Sequence, residues 1–164
     1  MRHGWLALPI FAFVGGAVAW GVPASADAPS GRYTIRTDTV IDNRTSLEWQ
    51  RVEAPTTMMQ FAARSYCAEL DLGGHSDWVL PTIKELLSLV DPTRGNNDPL
   101  MNPTPSIDPI AFPDNPLMEE FWSDTPVMNV PNMNTHAWAV DFKQGNSFRP
   151  QVDFLLEVRC VRYP

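Results

Sequence analysis

The chain has 164 residues with 12 basic and 19 acidic side chains. Its net charge of −7 speaks against nucleic acid, which selects a basic face, and against electrostatic attachment to anionic membranes. Sixteen prolines and only two lysines, Lys84 and Lys143, point to much irregular chain held by its contacts rather than by long regular elements.

Residues 1–26 read as a cleavable export signal. Met1-Arg2-His3 is a short basic start, Trp5 to Trp20 is an uncharged apolar run, and Ala24-Ser25-Ala26 has the small residues that precede a cleavage site. Pro9 and the Gly15-Gly16 pair favour removal over a retained membrane span. Cleavage after Ala26 leaves 27–164 as one domain. Loss of Arg2 takes the basic count from 12 to 11 against 19 acidic residues, a net charge of −8. The expected location is periplasmic or extracellular, with no membrane insertion once the signal is gone.

In the exported part, Tyr33, Ile35, Val40 and Ile41 suggest two short strands. Asp42 to Thr45 is turn chemistry, and Leu47 to Gln50 reads as a third strand. From Met58 to Leu70, the positions Met59, Ala62, Ala63, Tyr66, Cys67 and Leu70 form one helical face. Thr56 or Thr57 can cap its start, and Gly73 or Gly74 its end. Thr82-Ile83-Lys84-Glu85 is a capping box that opens a second short helix with Ile83, Leu86, Leu87 and Val90 inside. Residues 91–120 form a long loop rich in proline and aspartate, with Ile107, Ile110, Phe112 and Leu117 as anchors. A loop of that length in a small domain is usually functional. Phe121 to Ser123 is strand-like, 128–134 is a second loop, and Ala137 to Phe142 is an alternating strand. It returns after Gln144-Gly145-Asn146 through Ser147 to Arg149. Glu157 to Arg162 reads as a final strand, with Val158, Cys160 and Arg162 on one side.

Cys67 and Cys160 are the only cysteines. In an exported domain a lone pair most simply forms one bridge, tying the last strand to the first helix. The order of strands, two helices, long loops and more strands gives an α+β fold, with two helices beside a small twisted antiparallel sheet.

The pattern Val40 to Trp49, Cys67, Gly73 to Leu86, Ile107 to Pro113, Trp122 to Thr125, Trp138 to Phe142 and Val158 to Arg162 resembles the Lcl C-terminal domain family of bacterial exported proteins, over nearly the whole exported part. The resemblance implies a C-type-lectin-like fold, in which a first-helix cysteine pairs with one on the last strand. It also implies surface recognition and adhesion, since the family's namesake is a collagen-like adhesin that binds glycosaminoglycan-type polysaccharides. This chain departs from that namesake in having no Gly-x-y stalk, in its acidity, and in valine at position 79 where the family usually has arginine.

Catalytic patterns are missing. His75 and His136 lack zinc spacing, and Ser76 and Ser123 lack a histidine–carboxylate partner pattern. Calcium is a weighed alternative in 91–114, where Asp91, Asp98, Asp108 and Asp114 stand with Asn96, Asn97 and Asn102. The lectin sugar-site triplets Glu-Pro-Asn and Gln-Pro-Asp are absent, and the expectation is no resident cofactor. Trp49, Trp78, Trp122 and Trp138 could stack on sugar rings, with core packing accounting for most of them.

The reading is a non-enzymatic, exported module that binds a glycan or a protein partner through the 91–134 region. Asn96, Asn97, Asp98, Asp108, Trp122 and His136 are its candidate contacts, with no catalytic and no metal residue. An enzyme on a lectin-like scaffold, of the kind formylglycine-generating enzymes use, is the alternative. A purely structural subunit is the third.

Overall fold

A computed structural model describes residues 29–94, 105–113, 120–128, 130–131 and 135–164. The fold is α+β, as expected. In chain order the elements are β1 (Tyr33–Ile35), β2 (Thr39–Asp42), β3 (Leu47–Gln50), α1 (Gln60–Glu69), α2 (Ile83–Ser88), β4 (Glu120–Pro126), β5 (Ala137–Asp141), β6 (Asn146–Phe148) and β7 (Val161–Arg162). The expected single sheet is two antiparallel sheets, ordered β1-β2-β3-β7 and β4-β5-β6. Among the described residues no helix is long and apolar enough to cross a membrane.

The division into two sheets follows from the C-terminal segment. Only Val161–Arg162 pairs as a strand, because the main chain of 156–160 is spent on separate neighbours. Leu156 exchanges hydrogen bonds with Met58 at 3.0 and 3.2 Å. Glu157 donates to Glu120 at 2.9 Å and accepts from Trp122 at 3.0 Å. Val158 accepts from Ala54 and Cys160 from Gln50, each at 2.9 Å. Val161 then pairs with β3 and bridges Val79. The tail is thus a seam between the sheets rather than one long strand.

Two apolar clusters lie on opposite faces of the second sheet. Alternation sends Phe121 and Val140 to one face, where they meet Val40, Trp49, Leu86, Leu89, Phe112 and Val161. Trp122 and Ala139 go to the other face, against Ala63, Cys67, Trp78, Leu80 and Val158. A strand covered on both sides reads as nearly continuous apolar sequence, which is why 137–142 carries so little polar residue.

Helix α1 turns the expected face inward, with Tyr66 and Leu70 packed against the second cluster and Met59, at its N-cap, exposed. Its buried positions are Gln60, Ala63 and Cys67, with Gln60 Nε2 donating to the Ser123 carbonyl at 3.0 Å. Phe61 is 66 % exposed. The N-cap is Met59 with no side-chain cap, not Thr56 or Thr57, because Met58 is held extended by its bridge to Leu156. The glycine pair does not cap this helix either. Leu72 and His75 exchange main-chain bonds at 3.0 and 3.1 Å around Gly73 and Gly74, whose φ values are 64° and 80°. Two left-handed residues make a tight turn that glycine adopts without strain. A Cβ at Gly73 would stand 3.0 Å from Thr39 Cγ2. The capping box forms as expected, Thr82 and Glu85 bonding reciprocally at the start of α2.

Cys67 and Cys160 are joined, at a sequence separation of 93 and with Cα atoms 5.5 Å apart. Both are fully buried. Closure of a loop of that size contributes about 4–5 kcal/mol in the chain-entropy model. Replacing both cysteines by alanine is expected to lower the unfolding free energy by about 2–5 kcal/mol, measured by urea titration. The wild-type bridge should resist dithiothreitol until denaturant is added. Rapid reduction of the native protein would contradict this placement.

Candidate functional site

The sequence-derived contacts do not assemble into one site. Asn96, Asn97 and Asp98 lie outside the described residues. Trp122 has to be withdrawn: it is 0 % exposed and its indole N–H donates to the Met58 carbonyl at 2.8 Å. It is a core residue because β4 is covered on both faces. Asp108 is buried, and its Oδ1 accepts from the amides of Ile110 at 2.8 Å and Ala111 at 3.0 Å. That oxygen is committed to the turn that seats Ile107 and Phe112, both buried. Ile110 points outward, unlike Ile107 and Phe112. Among the described residues no group of three or more His, Cys, Asp or Glu side chains could hold a metal.

His136 is half-buried at a bridge to Gln151, next to the loop that ends at Thr135. Two residues on, Trp138 shares its face of β5 and is also half-buried. The Arg149 guanidinium lies over the Trp138 ring at 5.0 Å. This pair follows from register: Ala139 opposes Phe148 and Asp141 opposes Asn146, so Trp138 opposes Arg149 one step beyond β6. Counting back from the Gly145 turn would have found Arg149 in the sequence. Beside this rim Met128 (68 % exposed) and Val130 reach solvent. Among the described residues Trp138 is the tryptophan that is not packed away, since Trp49, Trp78 and Trp122 are all fully buried.

A charged cluster occupies the other face of the first sheet. Arg162 donates through Nε and Nη2 to the two oxygens of Asp77 at 2.8 and 3.2 Å, and through Nη1 to Glu48 at 2.6 Å. Glu48 also accepts from Thr39 Oγ1 at 2.6 Å and Arg36 Nη1 at 3.0 Å. Burial pushes the Glu48 carboxyl up, but its bonds from Thr39 and Arg162 outweigh that and hold it below its ordinary value. The Arg162 bonds likewise lower Asp77. Arg159 is buried in the core, with its guanidinium 4.7 Å from the Phe112 ring centre and 5.2 Å from that of Phe121. Its Nη1 donates to the Gln50 and Arg51 carbonyls at 2.8 and 2.6 Å. Burial pushes its pKa down to about 9, against the opposing charge of Glu53, and it stays protonated at neutral pH.

Two carboxylates shift the other way. Glu120 faces Asp141 directly across β4 and β5; partial burial first, then Asp141, raises it. Burial and then Glu53 raise Glu157.

These shifts set opposite pH dependences. The stability from Glu48 and Asp77 is present above their unfolded-state values and is lost as pH falls through their lowered folded values. The contribution of Glu120 and Glu157 is fully present below their unfolded-state values and is lost as pH rises through their raised folded values. Glu48→Ala is expected to cost about 3–5 kcal/mol at pH 7, because it leaves Arg162 buried beside a missing partner. Glu120→Gln should stabilise at pH 7 and change nothing at pH 3.5. Urea titrations at both pH values check this, and a Glu120→Gln effect that is equal at both would contradict the assignment.

A comparison with family models matches the Lcl C-terminal domain over residues 38–162. The chain belongs to the Lcl C-terminal domain family. A comparison with curated proteins finds no match.

Proposed function

We propose that this Lcl C-terminal domain is an exported, non-enzymatic recognition module with a C-type-lectin-like fold. It binds an extracellular glycan through the rim formed by Trp138, Arg149 and His136, where the His136 carbonyl accepts from the Val127 amide at 3.0 Å. The observation that carries this reading is the Trp138–Arg149 pair. An indole face half-open to solvent is a platform for the C–H face of a sugar ring, and the stacked guanidinium orients the ring and offers donors to hydroxyls. A chain of net charge −7 repels sulfated polymers, so neutral sugars fit this rim better. A second reading, a protein partner, is favoured by Met128 and Val130, which expose apolar surface in the segment that leads up to His136.

A glycan array of neutral and sulfated sugars tests the choice. Binding should fall on the neutral set. Trp138→Ala should weaken it tenfold or more, which is about 1.4 kcal/mol, with an unchanged circular-dichroism spectrum. Undiminished binding by a folded Trp138→Ala variant overturns the site. A blank array, with capture of a protein that Met128→Ser abolishes, selects the second reading.

Export rests on the N-terminal pattern. The mature protein is expected to begin at Asp27, and intact-mass spectrometry of material from the periplasm or medium reads this directly. Full-length mass confined to the membrane fraction is the contrary result.

A further inference from the structure

The outer edge of β1 is unpaired among the described residues. β1 closes one side of the first sheet, and its register with β2 decides which main-chain groups point outward. The Arg36 amide donates to the Thr39 carbonyl at 2.9 Å, and the Asn43 amide donates to the Arg32 carbonyl at 2.8 Å. The even positions of β1 therefore face β2. In an antiparallel ladder the intervening residues turn the other way, so the N–H and C=O groups of Tyr33 and Ile35 are directed off the sheet. An edge in this state is a template for another strand.

Two neighbouring features narrow the occupant. Ile35 (42 % exposed) and Ile110 (57 %) border a slot of about 130 Å3 beside the edge. A strand laid on β1 would place its side chains opposite Tyr33 and Ile35 over this slot. At the N-terminal end of β1, Arg44 lines a cleft of about 310 Å3 and makes no ion pair among the described residues. At the other end Arg36 keeps a half-exposed side chain although it touches Glu48. A second copy paired antiparallel about Thr34 would set Arg36 against Arg32, and like charges directly opposite destabilise such a pair. An acidic strand meets the complementary arrangement.

We propose that β1 is a strand-addition site for an extended peptide segment of a partner protein, with apolar residues over the Ile35–Ile110 slot and acidic residues at its ends. This is independent of the glycan reading, because Trp138 lies on the other sheet.

The probe is an end-capped peptide, Glu-Thr-Val-Thr-Val-Thr-Glu, titrated into isotopically labelled protein by NMR. Saturating peptide is expected to slow hydrogen exchange of the Tyr33 and Ile35 amides tenfold or more. Replacing both glutamates by lysine, or Arg44→Glu in the protein, should weaken binding tenfold or more. N-methylation of the two valines should abolish binding, whereas N-methylation of the threonines at positions 2 and 4 of the peptide should preserve it. Ile35→Pro removes an outward amide and spares the β2 ladder, so a folded variant should not bind. If that variant does not fold, the two methylated peptides decide alone. Unprotected amides at millimolar peptide, equal binding by both methylated peptides, or protection that grows with protein concentration without peptide would each overturn the proposal.

Discussion

The C-terminal segment from Leu156 to Arg162 fastens every layer of this domain to every other. Its main chain bonds to the extended residues before α1, to β3, to β4 and to the Val79 segment. Its side chains enter both apolar clusters, Val161 in one and Leu156, Val158 and Cys160 in the other. The disulfide fixes Cys160 to α1. Seven residues at the end of the chain therefore close contacts of very long sequence separation, which are the contacts whose loop-closure entropy is hardest to recover. A covalent link at that point restricts the unfolded chain where restriction counts most.

Two arginines finish the seam in opposite ways. Arg159 goes inward, between Phe112 and Phe121, and satisfies its charge on main-chain carbonyls and aromatic faces. Arg162 goes to the other face and spans Glu48 and Asp77. Cations buried this way add little net stability, yet they penalise any arrangement in which their partners are missing. For a domain with short strands and short helices, that penalty works against slipped registers: a one-residue shift of β7 would exchange the environments of Val161 and Arg162.

Local chemistry was legible in the sequence. The capping box and the short strands at 33–35, 39–42 and 47–50 are set by a few neighbouring residues, and the Cys67–Cys160 pairing follows from there being just two cysteines. Features that depend on which neighbour wins were not. The alternation of 157–162 is compatible with one long strand. The tail divides because Glu120, Trp122, Ala54 and Met58 compete for its main chain. The helix face over 58–70 was legible from its period; the added burial of Gln60 was not, because a polar residue goes inward there by finding the Ser123 carbonyl. Trp122 is a candidate contact on sequence grounds. Only the packing of a second cluster against β4 makes it core. Arg149 was within reach of register counting through the Gly145 turn, since Ala139 opposes Phe148, but an arginine on a return strand carries no local signal of the ring it covers.

Much of the family pattern, Trp138 apart, is consumed by the fold. Gly73 admits Thr39 at close approach, and Asp77 holds Arg162. Trp78 ties its indole to the His75 and Leu72 carbonyls. Thr82 and Glu85 cap α2, Asp108 orders the Phe112 turn, and Thr125 accepts from the Ile83 amide. Ser123 Oγ donates to the Trp138 carbonyl. A side chain locked into buried hydrogen bonds is poorly placed to meet a ligand, because engaging one would leave its internal partner unsatisfied. Membership in the family thus describes a scaffold. The proposed binding therefore belongs to what that scaffold leaves open among the described residues: Trp138 and Arg149, Met128 and Val130, and the outer edge of β1.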